Sequence, residues 1–186
     1  MIAVIGEMSL SFIPEGDKWI KKFSGTGYEW ALKLKALDSV VLLTVLPMGE
    51  CGKEMAECLI DNGIVFDPDM HSPLNPAIKV GNEYFLRGSA PLTLSAEKLS
   101  DALTYFSDIR KVVVSSALLS YNPSASAVLD ALSFASPQPK VAVDNSSPLC
   151  PGSNESLLEK TLSSLNSAMG ECLVSDSESE ILGFLR

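Results

Sequence analysis

The sequence has few basic residues and almost no histidine. Its 186 residues include 14 Lys and Arg against 23 Asp and Glu, which gives a formal net charge of -9, and only one His. A nucleic-acid backbone or an anionic membrane surface would repel such a chain. We therefore expect neither nucleic acid nor a membrane as a partner.

Long apolar runs are also missing. The longest, from Val40 to Leu46, is far shorter than the roughly 20 residues that a membrane-spanning helix needs. The N-terminus lacks the basic segment that begins a signal peptide. These two absences predict a cytoplasmic protein.

The sequence offers little for metal or nucleophilic chemistry. Its cysteines form no C-x-x-C pair and lie within apolar patterns, at Cys51, Cys58, Cys150 and Cys172. Such positions predict reduced core residues rather than a zinc site or disulfides. The single imidazole, His71, lies in a sequence typical of a solvated loop, so a Ser-His-Asp or Cys-His site has no support. We predict no bound metal.

What the sequence does contain is a regular alternation of short apolar runs with helical periods. Stretches with helical spacing occupy 29–37, 52–62, 95–106 and 153–166, and Asn122-Pro123 opens a further helix. Between them lie runs of strand length that are apolar on both faces, as buried parallel strands are: Met1 to Ile5, Val40 to Leu46, Lys111 to Ser115, Lys140 to Asp144 and Cys172 to Ser175. This rhythm predicts one α/β domain with ligands at the carboxyl ends of its strands.

One segment breaks the alternation. Residues 77–80 and 83–86 flank Gly81-Asn82, a pair that favours the tight turn of a β-hairpin. The charged residues of this hairpin indicate that one of its faces is wet. We predict a small flap over a site.

A glycine pair, Gly25-Thr-Gly27, precedes the first helical stretch. It has two of the glycines of a dinucleotide fingerprint, but residues 17–24 before it are hydrophilic and do not have the pattern of a strand. This partial match makes a Rossmann-type oxidoreductase a third hypothesis, after the two that are given below. Four aromatic residues surround the pair, and we expect them to be buried rather than to stack on a ligand; they are Trp19, Phe23, Tyr28 and Trp30.

Five short motifs follow one another along the chain: Val4-Ile-Gly-Glu-Met-Ser-Leu-Ser-Phe-Ile-Pro14, Ser24-Gly-Thr-Gly-Tyr-Glu-Trp-Ala31, Thr44-Val-Leu-Pro-Met-Gly-Glu-Cys-Gly52, Leu59-Ile-Asp-Asn-Gly-Ile64 and Tyr84-Phe-Leu-Arg-Gly-Ser-Ala90. Their order and spacing resemble the ribokinase-like (PfkB) carbohydrate kinases, particularly the fructokinase and 2-keto-3-deoxygluconate kinase branch. The resemblance runs along the whole chain.

The resemblance implies a single three-layer α/β/α domain over 1–186, with a mostly parallel sheet and a small β lid from segments of about 11–24 and 76–89. It also implies ATP and Mg²⁺ as cofactors and a sugar or sugar acid held under the lid. By position, Ser175 and Glu178 are the expected phosphate- and metal-associated residues. The expected substrate-binding residues are Ser11, Gly25, Gly27, Glu29, Arg87 and Asp144.

Several of these positions depart from the family's pattern. Ser11 replaces an acidic residue, and Glu29 replaces an Asn. The segment Asp144-Asn-Ser-Ser-Pro148 keeps the aspartate of an Asp-Pro-Asn-x-Arg-like element but not its arginine, and Ser175-Asp-Ser-Glu178 keeps only the glutamate of an Asn-x-x-Glu element.

Ordinary structural roles also suit these residue types. Carboxylates such as Glu29, Asp144 and Glu178 are natural at helix N-termini and in turns. Arg87 has the pattern of a solvated charge that ends a flap strand as much as that of an anion-binding residue.

The 186 residues contain no Gly-x-Gly-Asp. The resemblance implies a further C-terminal segment that carries the adenine-binding loops and Gly-Ala-Gly-Asp, whose aspartate accepts the sugar's hydroxyl proton. We therefore expect a truncated domain that has no catalytic residue or nucleotide site and is inactive alone.

An incomplete sheet would have an exposed edge and uncovered apolar surface, which predicts a homodimer or a complementary second chain. The alternative hypothesis is a non-catalytic binding or interaction protein that uses the same scaffold.

Overall fold

The computed structural model describes residues 1–146 and 150–186. Its strands are β1 (Ile2–Ile5), β2 (Ser9–Glu15), β3 (Lys18–Ser24), β4 (Val40–Leu43), β5 (Leu46–Pro47), β6 (Val65–Phe66), β7 (His71–Ser72), β8 (Ala77–Val80), β9 (Glu83–Phe85), β10 (Lys111–Ser115), β11 (Lys140–Asp144) and β12 (Cys172–Ser175). Its α-helices are α1 (Thr26–Leu34), α2 (Glu50–Asp61), α3 (Ala96–Tyr105), α4 (Ser116–Leu119), α5 (Ser124–Ser133), α6 (Glu155–Ala168) and α7 (Glu178–Leu185), with a 3-10 helix at Ala90–Thr93.

The central sheet has six strands in the order β12, β11, β10, β1, β4, β6, and all its pairs are parallel. Alternate residues of each strand enter opposite apolar clusters: Ala3 and Ile5 join α3 to α6, whereas Ile2 and Val4 join α1, α2 and α7. Both faces are therefore covered, which explains why these strands are apolar throughout. The predicted mostly parallel α/β sheet is confirmed.

A second sheet has four strands in the order β3, β2, β8, β9. Strands β2 and β3 form a long antiparallel hairpin, so the prediction that residues 17–24 do not form a strand is wrong. The lysines of β3 obscured it, because on a sheet that is not fully buried they occur on both faces of the strand and give it a hydrophilic sequence. The predicted hairpin of β8 and β9 is confirmed.

The register divides this sheet into two chemically different faces. Ser9 lies opposite Ser24, and Lys79 lies opposite Tyr84, so one face is polar. The other face carries apolar residues, and three of them are largely exposed: Trp19 is 58%, Phe85 47% and Val80 38% accessible. The expectation that Trp19 is buried is wrong, since it lies near the open tip of the β2–β3 hairpin.

Some element boundaries differ from those that the pattern predicts. Helix α1 begins at Thr26 rather than at Glu29, and the run from Val40 to Leu46 divides into β4 and the short β5. Elsewhere the end signals hold. The Ser95 side chain accepts a hydrogen bond from Lys98 N at the start of α3, and Gly63 follows α2 with φ +61°.

The chain after β1 passes very close to the start of α1, and glycines make this possible. A Cβ on Gly27 would lie 2.5 Å from the carbonyl carbon of Gly6, and one on Gly6 would lie 2.5 Å from Gly27 Cα. Gly25 precedes α1 with φ +109°, and a Cβ there would lie 2.6 Å from the Glu7 carbonyl oxygen. Gly25 and Gly27 are therefore required by backbone packing.

Replacing Gly27 by Ala should destabilise the fold, because backbone atoms of Gly6 would have to move. We expect Gly27→Ala to lower the free energy of unfolding by about 1–3 kcal/mol. The matched control is Gly183→Ala in α7, where a Cβ would meet nothing within 4 Å. That change should be neutral or stabilise by up to about 1 kcal/mol. Urea unfolding measures both, and equal effects would contradict the close approach.

Candidate functional site

A cleft of about 440 Å³ lies between the polar face of the four-stranded sheet and the carboxyl ends of the parallel strands. This is where open α/β sheets bind ligands. Its lining is polar and comes from β2, β3, α1, the β8–β9 hairpin and the segments after β1, β11 and β12: Glu7, Ser9, Ser24, Gly25, Thr26, Glu29, Trp30, Lys33, Lys79, Asn82, Tyr84, Asp144, Ser146, Asp176 and Glu178.

Glu7 follows β1 and is completely buried. Its Oε1 accepts a hydrogen bond from Thr26 N at 2.9 Å, at the start of α1. Within the described part of the chain, its Oε2 has no hydrogen-bond partner. Burial raises the pKa of the Glu7 carboxyl, and the nearby polar groups of its own backbone, of Thr26 and of Ser115 oppose that rise only in part.

Tyr84 projects from β9 on the polar face of the four-stranded sheet, and its hydroxyl is buried. No described residue gives this hydroxyl a hydrogen bond of normal length and angle. Burial raises the pKa of Tyr84 well above its ordinary value, and the negative charge of Glu7 adds to the rise.

Asp144 ends β11 and is 4% exposed. Its Oδ2 accepts a hydrogen bond from Trp30 Nε1 at 2.7 Å, and its Oδ1 accepts one from Ser146 N at 2.9 Å. Both carboxylate oxygens therefore have partners within the protein. The end of the predicted segment, Ser147 and Pro148, lies outside the described residues.

Glu178 lies at the mouth of the cleft in the first turn of α7, where a carboxylate is favoured by the helix dipole. Its Oε2 accepts a hydrogen bond from Lys33 Nζ at 2.7 Å. Ser175 does not line the cleft: its hydroxyl donates to Glu180 Oε2 at 2.6 Å and accepts from Ser177 N at 3.0 Å. Both residues that were predicted to associate with phosphate and metal thus stabilise the first turn of α7.

Ser11 is buried in the four-stranded sheet and does not line the cleft. Its hydroxyl is hydrogen bonded to that of Ser24, which also lies 2.9 Å from the Ser9 hydroxyl. These three hydroxyls join β2 to β3. Ser11 therefore contacts the cleft only through Ser24, which lines it together with Ser9.

Arg87 lies outside the cleft. Its side chain packs against Gly152, where an added Cβ would come within 2.9 Å of Arg87 Cδ. Glu29, by contrast, lines the cleft from the first turn of α1 with its side chain exposed. The predicted residues thus divide: Gly25, Glu29, Asp144 and Glu178 line the cleft, whereas Ser11, Gly27, Arg87 and Ser175 do not.

The sequence-based selection missed several lining residues. Ser9, Ser24, Lys79 and Tyr84 share the polar face of one sheet, and the alternation along β2 and β8 was the available signal. No such signal marked Glu7, because the local sequence around a buried carboxylate does not differ from that around an exposed one.

Mg²⁺ does not fit the residues that the sequence selected for it. Glu178 pairs with Lys33, and the Ser175 hydroxyl pairs with Glu180. Among residues 1–146 and 150–186 there is no group of three or more His, Cys, Asp or Glu side chains arranged to hold a metal ion.

The fold matches solved structures of kinases. A fructokinase from Xylella fastidiosa with bound ATP gives a TM-score of 0.73 at 17% identity, and the match covers 88% of this chain and 58% of that chain. A PfkB family carbohydrate kinase from Listeria grayi gives 0.73 at 17% identity, with coverage of 99% and 62%. An aminoimidazole riboside kinase from Salmonella enterica, complexed with aminoimidazole riboside and an ATP analog, gives 0.73 at 16% identity, with coverage of 98% and 67%. The chain has the ribokinase-like fold of the PfkB carbohydrate kinases.

The fold class that the sequence motifs predict is therefore confirmed. This ribokinase-like chain spans about three fifths of the length of the fructokinase and of the Listeria kinase. No protein-family model matches its sequence, and no curated protein sequence does. Within the described residues we find no helix whose length and apolar character would allow it to cross a membrane.

The Trp30–Asp144 hydrogen bond should stabilise the wall of the cleft. Trp30→Phe removes the donor from a buried carboxylate, so we expect the free energy of unfolding to fall by about 2 kcal/mol. The control is Tyr105→Phe, because Tyr105 is 82% exposed on α3 and its replacement should change stability by less than about 0.5 kcal/mol. Urea unfolding near pH 7 compares the two, and a similar loss in both would show that the bond contributes nothing.

Proposed function

We propose that this chain is the substrate-binding portion of a sugar-kinase-like protein and that its cleft holds a small neutral polyol. The observation that carries the proposal is the concentration of hydroxyl, amide and carboxylate groups in one cleft beneath the four-stranded sheet. The cleft volume of about 440 Å³ lies within the range of small-molecule sites, roughly 300–1,000 Å³. The four-stranded sheet would be the lid over this ligand.

The charge of the lining favours a neutral sugar over a sugar acid. Five carboxyl side chains and two lysines line the cleft, and one of the lysines, Lys33, already pairs with Glu178. Arg87, the residue best suited to a ligand carboxylate, lies elsewhere. An anionic ligand would therefore meet net repulsion.

Similar structures support a carbohydrate ligand. One is a fructokinase with bound ATP, and another is a kinase that holds a riboside. ATP and Mg²⁺ would belong to the activity of such a protein as a whole. The 186 residues contain no Gly-x-Gly-Asp, and we propose that they bind the sugar without transferring a phosphoryl group by themselves.

Titration calorimetry with D-fructose, D-ribose and D-gluconate tests this function. We expect at least one neutral sugar to bind at least tenfold more tightly than gluconate. Asn82→Ala, which removes an amide from the lining, should weaken that binding about threefold to tenfold. The control Asn75→Ala, at an exposed residue outside the cleft, should leave it unchanged.

Two results would contradict the proposal. If gluconate binds more tightly than both neutral sugars, or if neither neutral sugar binds, the proposal that the cleft holds a neutral polyol is wrong. ADP release by the isolated chain from ATP and the bound sugar would overturn the absence of phosphoryl transfer.

A second candidate function is protein interaction, and the apolar face of the four-stranded sheet favours it. We propose that this face mediates self-association, because Val80 and Phe85, on the adjacent strands β8 and β9, and Trp19, on the edge strand β3, are exposed on it. Exposed apolar surface of this kind is typical of protein contacts.

Size-exclusion chromatography with light scattering tests the association. We expect a dimer, and we expect Phe85→Ser to shift it toward the monomer. The matched control is Phe134→Ser, since Phe134 is 84% exposed at the end of α5, away from this sheet, and it should leave the dimer intact. A monomeric wild-type protein at high concentration would refute the association.

A further inference from the structure

Three buried polar groups without hydrogen-bond partners lie near one another, and two of them line the cleft. Among the described residues, the unpartnered atoms include Glu7 Oε2, Tyr84 Oη and Ser115 Oγ. The Ser115 hydroxyl lies near enough to the Glu7 carboxyl to lower its pKa. The Glu7 carboxyl in turn lies near enough to the Tyr84 hydroxyl to raise the pKa of Tyr84. Glu7 and Tyr84 line the cleft directly.

The three groups come from different parts of the fold. Glu7 and Ser115 lie at the carboxyl ends of the neighbouring strands β1 and β10, whereas Tyr84 lies on β9 of the four-stranded sheet. A hydrogen bond from Thr26 N holds Glu7 Oε1, so the carboxyl is fixed with its second oxygen unpartnered. The groups therefore face one another across the join between the two sheets.

Leaving such groups unpaired is costly. Each buried polar group without a partner costs about 1–3 kcal/mol, and the large majority of buried polar groups in folded proteins are paired. Three unpaired groups together indicate a position where a ligand atom or a water molecule completes the hydrogen bonds.

The chemistry of the three groups limits what that ligand atom is. A carboxylate oxygen accepts a hydrogen bond, and each hydroxyl both donates and accepts. A ligand hydroxyl fits all of them, because it can donate to Glu7 Oε2 and accept from Tyr84 or Ser115. A ligand carboxylate or phosphate brings no proton for Glu7 and would be repelled by its ionised form.

We propose that Glu7, Tyr84 and Ser115 form a subsite that binds one hydroxyl group of the polyol. This inference rests on the proposed function, since it identifies where in the cleft the ligand is held most specifically. The bound hydroxyl would be held by both sheets at once. A sugar that lacks this hydroxyl would leave the three groups unpaired and bind weakly.

Calorimetry with the sugar that binds best among D-fructose and D-ribose tests the subsite with two conservative variants. Tyr84→Phe removes only the hydroxyl, and we expect affinity to fall at least tenfold. The matched control is Tyr121→Phe, because the Tyr121 hydroxyl is not part of the cleft and donates to Pro151 O at 3.1 Å. That variant should bind the sugar within twofold of the wild type.

Thermal unfolding of the ligand-free variants adds a readout that separates binding from folding. Tyr84→Phe should melt at or above the wild-type temperature, because the lost hydroxyl has no partner in the described protein. Tyr121→Phe should melt lower, because it loses a hydrogen bond.

Each other outcome has a definite meaning. If Tyr84→Phe binds the sugar as tightly as the wild type, the subsite is wrong while the proposed function stands. If Tyr84→Phe melts well below the wild type, the hydroxyl serves the fold and the subsite is also wrong. If the wild type binds neither sugar, the proposed function and the subsite fail together.

Discussion

The close approach of Gly6 to Gly27 determines the geometry of the cleft. It brings the turn after β1 against the first turn of α1, so that Thr26 N can donate to Glu7 Oε1 at 2.9 Å. That bond fixes a carboxyl whose other oxygen has no hydrogen-bond partner among the described residues. A side chain at either glycine would separate the two segments and move the inner end of the cleft. The position of the Glu7 carboxyl in the cleft therefore depends on the packing of these two backbone segments.

The four-stranded sheet gives the cleft its second wall, and its register decides which residues face inward. One face carries Ser9, Ser24, Lys79 and Tyr84. Ser9 is paired with Ser24, Lys79 is paired with Tyr84, and the pairing of Ser11 with Lys79 places both pairs on the same side. The apolar residues of the same strands are therefore directed outward. Since one set of strands presents both surfaces, a change in the sheet would alter the polar wall of the cleft and the apolar outer face together.

The parallel strands were predictable from sequence because a strand buried on both faces must be apolar along its whole length. The start of α3 was also predictable, since the Ser95 cap is a local signal. The β2–β3 hairpin was not, because three lysines interrupt the apolar residues of β3 on a partly exposed sheet, so that its sequence resembles a hydrophilic loop.

Site residues were harder to predict than the fold, because their roles depend on partners far away in sequence. Asp144 lies in the cleft as its place at a strand end suggested, but its hydrogen bond to Trp30 joins residues 114 positions apart. Arg87 lies outside the cleft and packs against Gly152, which is 65 positions later in the sequence. Glu7 was overlooked because nothing local to the sequence distinguishes a buried carboxyl from a solvated one.

The two tryptophans of the chain give it two separate optical probes. Trp30 is 4% exposed in the wall of the cleft, whereas Trp19 is 58% exposed on the apolar face of the four-stranded sheet. An indole held against a carboxylate and an indole in contact with water emit at different wavelengths. The intrinsic fluorescence of this protein therefore distinguishes events inside the cleft from events on its outer surface, without any added label.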